Sequence, residues 1–222
     1  WHHAEDFLDG EEWDTLMNYP FCFAVENFVA NESITATEFL GQLGYIEGNY
    51  HKKVYPLLWN LIDSHDFSRF LYRCKENVDR FKLGVGLQLV WPGMPFIYYG
   101  DEYGMTGGAD PDCRRGMVWD EAYQNKEVYQ WYKKLIQIRK EYPALTEGKT
   151  VDMFADDAHS IFAITKELDR KQITLLVNAS ANEVSEKEIG NLKKYIMQKN
   201  IVTNDNFSGK LSAFELAVLT NL

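Results

Sequence analysis

The sequence is poor in cysteine. It has three cysteines, Cys22, Cys74 and Cys113, which are odd in number, widely spaced and without any Cys-x-x-Cys pair. Such a set indicates neither a disulfide framework nor a zinc site. We therefore expect a protein of a reducing compartment, the cytoplasm.

Clusters of positive charge are also absent. The chain has 33 acidic and 23 basic residues, a formal net charge of −10, and no segment concentrates its lysines and arginines. A surface of this charge repels both phosphate backbones and anionic lipid. The composition thus predicts that nucleic acid is not a partner of this protein.

No uninterrupted apolar run is long enough for a membrane span. Residues 83–100 carry no charge, but Gln88, Pro92 and Pro95 interrupt them. This pattern predicts a helix, a turn and a strand rather than a membrane helix. The chain opens at Trp1 without a methionine, so we expect the natural start of the protein to lie upstream.

What is present is a globular composition with alternating strand and helix patterns. The chain has 222 residues with 45% hydrophobic content, which suits one large domain or two small ones. Apolar stretches that end in polar or turn residues are typical of buried parallel strands meeting a functional loop. They are residues 15–19 before Pro20, residues 57–62 before His65 and Asp66, and residues 96–99 before Gly100, Asp101 and Glu102. Between and after them, helical spacing recurs at Phe39-Leu40-Leu43, Val78-Phe81-Val85-Leu89 and Val128-Trp131-Tyr132-Leu135-Ile138, which predicts right-handed crossover units.

The pattern changes after about Leu145. Apolar residues then alternate with a period of two, as in Ile173-Leu175-Val177 and Phe214-Leu216-Val218. This alternation predicts a separate antiparallel β domain over residues 145–222. One exception is residues 186–199, where Ile189, Leu192 and Ile196 fall at helical spacing and predict a helical insertion.

Several motifs occur together and in a fixed order. They are Trp1-His2-His3-Ala4, Met17-Asn18-Tyr19-Pro20-Phe21, residues 60–69 (NLIDSHDFSR), residues 92–105 (PGMPFIYYGDEYGM) and residues 106–115 (TGGADPDCRR). In this order they resemble the last strands and loops of neopullulanases and cyclomaltodextrinases, which are glycoside hydrolases of the alpha-amylase superfamily. The resemblance covers nearly the whole chain. It implies an α/β fold, with part of a (β/α)₈ barrel over residues 1–144 and an antiparallel β-sandwich over residues 145–222.

The resemblance also implies roles for individual residues. Such barrels carry their chemistry at the C-terminal ends of the strands. Asp66 resembles the carboxylate that stabilises the oxocarbenium-like transition state, and His65 resembles the histidine that binds the same sugar. Arg69 matches a family arginine close to the substrate, and the resemblance implies a positioning role for it.

Four further residues complete the predicted substrate site. Asp110 and Arg114 resemble a pair that contacts a sugar nearer the non-reducing end, and Tyr19 and His2 remain as cleft residues. Plainer interpretations stay open, since Asp66 also suits a helix N-cap and Asp110-Pro111 an ordinary turn. For Asp101-Glu102 we favour a purely architectural role.

The chain lacks two residues that this chemistry needs. In the family the general-acid glutamate lies two residues before the tryptophan matching Trp1, and the nucleophilic aspartate lies further upstream. The carboxylates of Glu5, Glu11 and Glu12 match neither role. We therefore expect the C-terminal part of a retaining glycoside hydrolase acting on alpha-glucans, inactive alone, without organic cofactor or metal, from a parent that forms a homodimer. A catalytically silent carbohydrate-binding homologue and a scaffold module remain alternatives.

Overall fold

The computed structural model describes residues 7–8 and 12–221. Its α-helices are α1 (Tyr19–Val25), α2 (Ala36–Asn49), α3 (Phe70–Arg73), α4 (Val78–Val90), α5 (Lys126–Glu141) and α6 (Ala144–Glu147). A π-helix at Glu26–Ala30 extends α1, and 3₁₀ helices lie at Tyr55–Leu57, Asp101–Tyr103, Asp112–Arg114, Glu121–Tyr123 and Gly190–Tyr195. None of the helices in the described residues has the length and apolar character to cross a bilayer.

The three long helices confirm the helical spacing read from the sequence. Each begins at a side chain that accepts a backbone hydrogen bond, so the local sequence itself sets the start. Thr35 and Glu38 form a reciprocal capping box at α2. Asn77 caps α4, and Asn125 caps α5.

Two short parallel strands lead to the predicted site. Strands β1 (Trp59–Asn60) and β2 (Met94–Pro95) pair in parallel, and Met17 forms an isolated parallel bridge to Trp59. The side chain of Gln88 donates hydrogen bonds to the carbonyls of Asn60 (3.1 Å) and Phe96 (2.7 Å), where the ladder ends. The prediction of a strand over residues 96–99 is therefore wrong, because the strand lies just before them.

The prediction of a strand over residues 15–19 is wrong, because only Met17 there forms an isolated bridge and none of these residues lies in a strand. Tyr19 is the first residue of α1 rather than a strand residue. The side chain of Asn18 accepts a hydrogen bond from the backbone N–H of Phe21 (3.2 Å), and Pro20 lies in the first turn, where its missing N–H costs nothing. The helix consequently starts one residue before the proline that we expected to follow a strand.

The second half of the chain is mainly an antiparallel sheet. Its strands are β3 (Lys149–Asp156), β4 (Ile161–Leu168), β5 (Lys171–Asn178), β6 (Val184–Ser185), β7 (Lys199–Asn200), β8 (Asp205–Asn206), β9 (Lys210–Leu211) and β10 (Leu216–Thr220). Six of them form one sheet in the order β3-β4-β5-β10-β7-β8, while β6 and β9 form a separate pair. The predicted period of two is confirmed, since Leu216 pairs with Val177 and Val218 with Leu175 on one face of the sheet.

The helical insertion expected over residues 186–199 is shorter than predicted. The helix there is a 3₁₀ helix of six residues, Gly190–Tyr195. Leu192 and Tyr195 on this helix, together with Ile189 before it, pack against the second face of the sheet. Of the three residues that carried the helical spacing, Ile189 and Leu192 are thus buried against the sheet without a long helix, and Ile196 is exposed.

One apolar core joins the helices to the sheet. Phe28 and Phe39 stack at 4.6 Å between ring centroids, and Phe39 meets Phe162 of β4 at 5.5 Å. The same cluster of buried side chains contains residues from both sides of position 145. The sheet therefore supports the helices that position the loops after β1 and β2.

Candidate active site

Asp66 lies in an exposed turn that follows β1. The hydroxyl of Tyr19 donates to its Oδ2 at 3.0 Å, and Nε2 of His65 lies 3.1 Å from its Oδ1. The backbone N–H of Asp66 donates to Ser64 Oγ (3.1 Å), which tightens the turn. The side chains of His65 and Asp66 are 60% and 53% exposed, so both can contact a ligand. The hydrogen bond from Tyr19 holds the orientation of Asp66.

The loop around Arg114 contacts the same turn. Arg114 Nε donates to the backbone carbonyl of His65 at 2.9 Å and lies 3.0 Å from Asp110 Oδ1. In the same loop Arg115 hydrogen-bonds Asp112, which holds the pKa of that carboxyl below its usual range. The structure thus brings together His65, Asp66, Asp110 and Arg114, which the sequence nominated as two pairs.

Arg69 lies under this surface and is fully buried. Its Nη1 donates to the carbonyl of Tyr99 (2.8 Å) and to Asp101 Oδ1 (2.9 Å), and its Nε donates to the carbonyl of Cys113 (3.1 Å). The guanidinium therefore ties the turn after β1 to the two following loops. Arg69, which we expected among the substrate-site residues in a positioning role, offers no direct contact with a sugar from this buried position.

Tyr19 contributes its hydroxyl rather than an open ring face. The residue is 9% exposed, and its ring lies 5.9 Å from that of Phe67 and 6.0 Å from that of Phe23. Burial, reinforced by the charge of Asp66, raises the pKa of the Tyr19 phenol, so it remains a hydrogen-bond donor. The other expected cleft residue, His2, lies outside the described residues.

Asp101 has the architectural role that we favoured. It is 1% exposed and accepts the hydrogen bond from Arg69 described above. Burial first, and then the charge of Asp63, raise the pKa of Asp101, whereas Arg69 acts in the opposite direction. Sequence reasoning assigned no role to Asp63, although a carboxylate directly after the buried pair Leu61-Ile62 was the available signal.

The three cysteines are free, in agreement with the expected lack of a disulfide framework, and all three are buried. Burial raises the pKa of the Cys22 and Cys74 thiols to about 12, so neither is a reactive nucleophile. Over residues 7–8 and 12–221 the side chains of His, Cys, Asp and Glu form no group of three suited to a metal ion. The expected lack of a cofactor stays a prediction.

Comparison with known proteins places this site in a family. The sequence model of the alpha-amylase catalytic domain matches residues 1–125, more than half of the chain. The chain belongs to the alpha-amylase family. The matched range, residues 1–125, includes every residue of the site described above.

Individual relatives agree with this assignment. A cyclomaltodextrinase of Geobacillus thermopakistaniensis is 39% identical over 212 residues, which cover 95% of this chain and 36% of the relative. Neopullulanase 2 of Thermoactinomyces vulgaris is 39% identical over 178 residues, covering 80% of this chain and 30% of the relative. This alpha-amylase family chain therefore spans about a third of the length of these two relatives.

A solved structure extends the comparison to the fold. The cyclic alpha-maltosyl-(1→6)-maltose hydrolase of Arthrobacter globiformis, in complex with that cyclic sugar, superposes with a TM-score of 0.81 and 26% sequence identity. The superposition covers 98% of the alpha-amylase family chain and 47% of the hydrolase. The antiparallel sheet and the helices before it are thus shared with a hydrolase whose structure was solved in complex with that cyclic sugar.

Proposed function

We propose that the chain is the C-terminal part of a retaining glycoside hydrolase that acts on alpha-glucans, with Asp66 as its transition-state stabiliser. The observation that carries this proposal is the half-exposed Asp66 carboxylate, held by Tyr19 beside His65 and next to the loop of Arg114. The names of the relatives, cyclomaltodextrinase and neopullulanase, support an alpha-glucan as the substrate class.

The chemistry follows from the charge of Asp66. Cleavage of a glycosidic bond develops positive charge on the reacting sugar ring, and a fixed carboxylate facing that ring stabilises the charge as it forms. The Tyr19 hydroxyl binds Oδ2, which leaves lone pairs on both carboxylate oxygens free for sugar hydroxyls. His65 lies beside Asp66 and forms a further hydrogen bond with that sugar, either as donor or as acceptor.

Asp110 and Arg114 form the neighbouring part of the proposed site. Their side chains pair at 3.0 Å and remain about half exposed, at 52% and 47%. A planar guanidinium beside a carboxylate presents donors and acceptors at the spacing of vicinal hydroxyls. We propose that this pair binds a sugar unit nearer the non-reducing end, while the buried Arg69 positions the turn of Asp66 without touching substrate.

The parallel strands support an incomplete barrel over residues 1–144. Strands β1 and β2 pair only with each other and with Met17 among the described residues, and Trp59 and Met94 are 37% and 47% exposed. Apolar side chains at this position suit packing against further barrel strands. We propose that upstream sequence supplies those strands together with the nucleophile and the general acid, and that residues 145–222 form the family's C-terminal β-sandwich. A cytoplasmic location and a homodimeric parent belong to the same proposal.

Substitution of Asp66 in the full-length protein tests the function. Asp66→Asn keeps the volume and accepts the Tyr19 hydrogen bond but removes the charge, so kcat on maltooligosaccharides should fall on the order of 10²- to 10³-fold with little change in folding. Asp205→Asn, an exposed change on β8, is the matched control and should leave kcat unchanged. Normal turnover by Asp66→Asn, or no glucan hydrolysis by the parent, would contradict the proposal.

A further inference from the structure

One arginine closes the loop that carries Asp66. Arg73, the last residue of α3, follows this loop of residues 63–67 in the chain. Its Nη2 donates to the carbonyl of Ile62, and its Nε donates to the carbonyl of Ser68 at 3.1 Å. Ile62 stands directly before the loop, and Ser68 stands directly after it. A single guanidinium therefore joins the two ends of the loop, as its planar fork of donors permits.

The same side chain links the loop to the helix that bears Tyr19. Arg73 Nη1 lies 2.5 Å from Glu26 Oε2 in an ion pair, although Nη1 makes no hydrogen bond of normal geometry in the part of the chain that the structure describes. Glu26 is the first residue of the π-helix that extends α1, and Tyr19 is the first residue of α1. Cys22, also on α1, donates from Sγ to the carbonyl of Ile62 at 3.3 Å. Helix α1 and the loop thus meet at these contacts as well as at the hydroxyl of Tyr19.

Arg73 is held where water has little access. Its side chain is 11% exposed, and that of Glu26 is 22% exposed. The guanidinium carbon lies 4.8 Å from the ring centroid of Phe67 and 5.2 Å from that of Phe70, so aromatic rings cover the cation. In such surroundings the removal of one charge leaves the other charge poorly solvated and unpaired. Water should therefore not replace the contacts of Arg73 when the guanidinium is lost.

We propose that Arg73 is a positioning residue of the candidate active site, which holds the Asp66 loop against the helix of Tyr19. The inference rests on the proposed function, because the loop carries the transition-state stabiliser, whose carboxylate must be oriented before positive charge develops on the sugar. The polar contacts of Arg73 are with backbone carbonyls and Glu26, so it acts through the loop rather than on the sugar. Arg69 ties the same loop to the segment after β2, whereas Arg73 ties it to α1.

A double-mutant cycle on kcat of the full-length protein tests this role. Arg73→Met keeps an apolar side chain against Phe67 but removes the donors, so kcat on maltooligosaccharides should fall about 10- to 100-fold with little change in KM. The Tyr19 hydroxyl then no longer meets Asp66 in the same geometry. Tyr19→Phe should consequently lower kcat by a smaller factor in the Arg73→Met background than in the wild type. Equal losses in the two backgrounds, or an unchanged kcat in Arg73→Met, would overturn the proposal.

Arg80 on α4 provides the matched control. Its side chain is 13% exposed and paired with Glu32, and its Nη1 donates at 3.1 Å to the carbonyl of Ala30, the last residue of the π-helix. Its guanidinium also lies against an aromatic ring, that of Phe214, at 4.7 Å. Arg80→Met should therefore lower the free energy of unfolding as Arg73→Met does, but leave kcat unchanged. An equal fall of kcat in both variants would overturn the proposal, because general loss of stability would then explain it.

Hydrogen–deuterium exchange of the full-length protein follows the loop without reference to activity. In Arg73→Met the amides of residues 63–70 should exchange about tenfold faster than in the wild type, since a loop released at its ends opens more often. Arg80→Met should leave the exchange of these residues unchanged. If the parent hydrolyses no glucan, the proposed function fails, while the exchange result still decides whether Arg73 holds the loop.

Glu26→Gln is a milder second variant, which also serves if Arg73→Met does not fold. It keeps the length of the side chain and the hydrogen bonds of Arg73 to the loop, but it removes the charge that ties Arg73 to the π-helix. Exchange over residues 63–70 should therefore rise and kcat should fall, both by less than in Arg73→Met. Unchanged exchange in every Arg73→Met and Glu26→Gln protein that folds would overturn the proposal.

Discussion

The side chains around Asp66 divide into those that meet the ligand and those that hold the turn. His65, Asp66, Asp110 and Arg114 are about half exposed, whereas Tyr19 and Arg69 are buried behind them. A carboxylate that stabilises charge must be held in place before the charge develops, since reorientation during the reaction would forfeit the gain. The buried partners therefore matter to the proposed chemistry as much as the exposed ones.

Removal of the Tyr19 hydroxyl tests this at the residue scale. Tyr19→Phe keeps the ring packed against Phe67 but removes the hydrogen bond to Asp66 Oδ2. Because a hydrogen bond to a charged group contributes about 1.5–3 kcal/mol, kcat of the full-length protein should fall about 10- to 100-fold. Tyr123→Phe, at a 79% exposed tyrosine, is the control and should have no effect. Equal kcat values for the two variants would show that Tyr19 does not hold Asp66.

Sequence alone nominated the exposed residues and two of their buried supports, Tyr19 and Arg69, but not Asp63. His65, Asp66, Asp110 and Arg114 were found through motif resemblance, and the structure brings them together. Asp63 escaped notice, although it directly follows the buried pair Leu61-Ile62, because its hydrogen-bond donor, the backbone N–H of Phe70, becomes apparent only in the folded chain. The partner of Arg69 is likewise revealed only by the loop after β2, which places Asp101 under the turn.

At the scale of elements, the sequence predicted the helices better than the strands. Capped, amphipathic helices such as α2 and α5 carry their boundaries in their own residues. The apolar run at residues 96–99 misled because a strand needs a hydrogen-bonding partner and not only apolar residues, and Ile97 and Tyr99 are in fact exposed. The Gln88 side chain donates to the carbonyls of Asn60 and Phe96, where that ladder ends. These hydrogen bonds join residues that are not neighbours in the sequence, so the sequence pattern did not predict them.

Two glycines in helices should respond oppositely to alanine. A Cβ at Gly84 of α4 would overlap the fully buried ring of Phe70, whereas a Cβ at the exposed Gly41 of α2 meets no atom within 4 Å. Gly84→Ala should therefore cost about 1–3 kcal/mol through overpacking. Gly41→Ala should gain about 0.5–1 kcal/mol from the lower entropy of the unfolded chain and better helix propensity. Urea denaturation of the full-length protein measures both, and a stabilising Gly84→Ala would refute the contact of α4 with α3.

For the whole molecule, the raised pKa of Asp101 links stability to pH. In the folded state Asp101 holds its proton more tightly than in the unfolded chain, where its pKa has the ordinary value of 3.8. The folded state therefore binds the extra proton, and the resulting stability is present at low pH and is lost as pH rises through the raised pKa. Asp101→Asn should flatten this part of the profile of unfolding free energy against pH. An unchanged profile would show that Asp101 titrates normally.

The most direct measurement is a crystal structure of the full-length protein with a maltooligosaccharide bound. Our account predicts that the Asp66 carboxylate lies within hydrogen-bonding distance of hydroxyls on one glucose unit, with His65 on the same unit and the Asp110–Arg114 pair on a neighbouring one. An oligosaccharide seated elsewhere, with Asp66 turned away from every sugar, would contradict it.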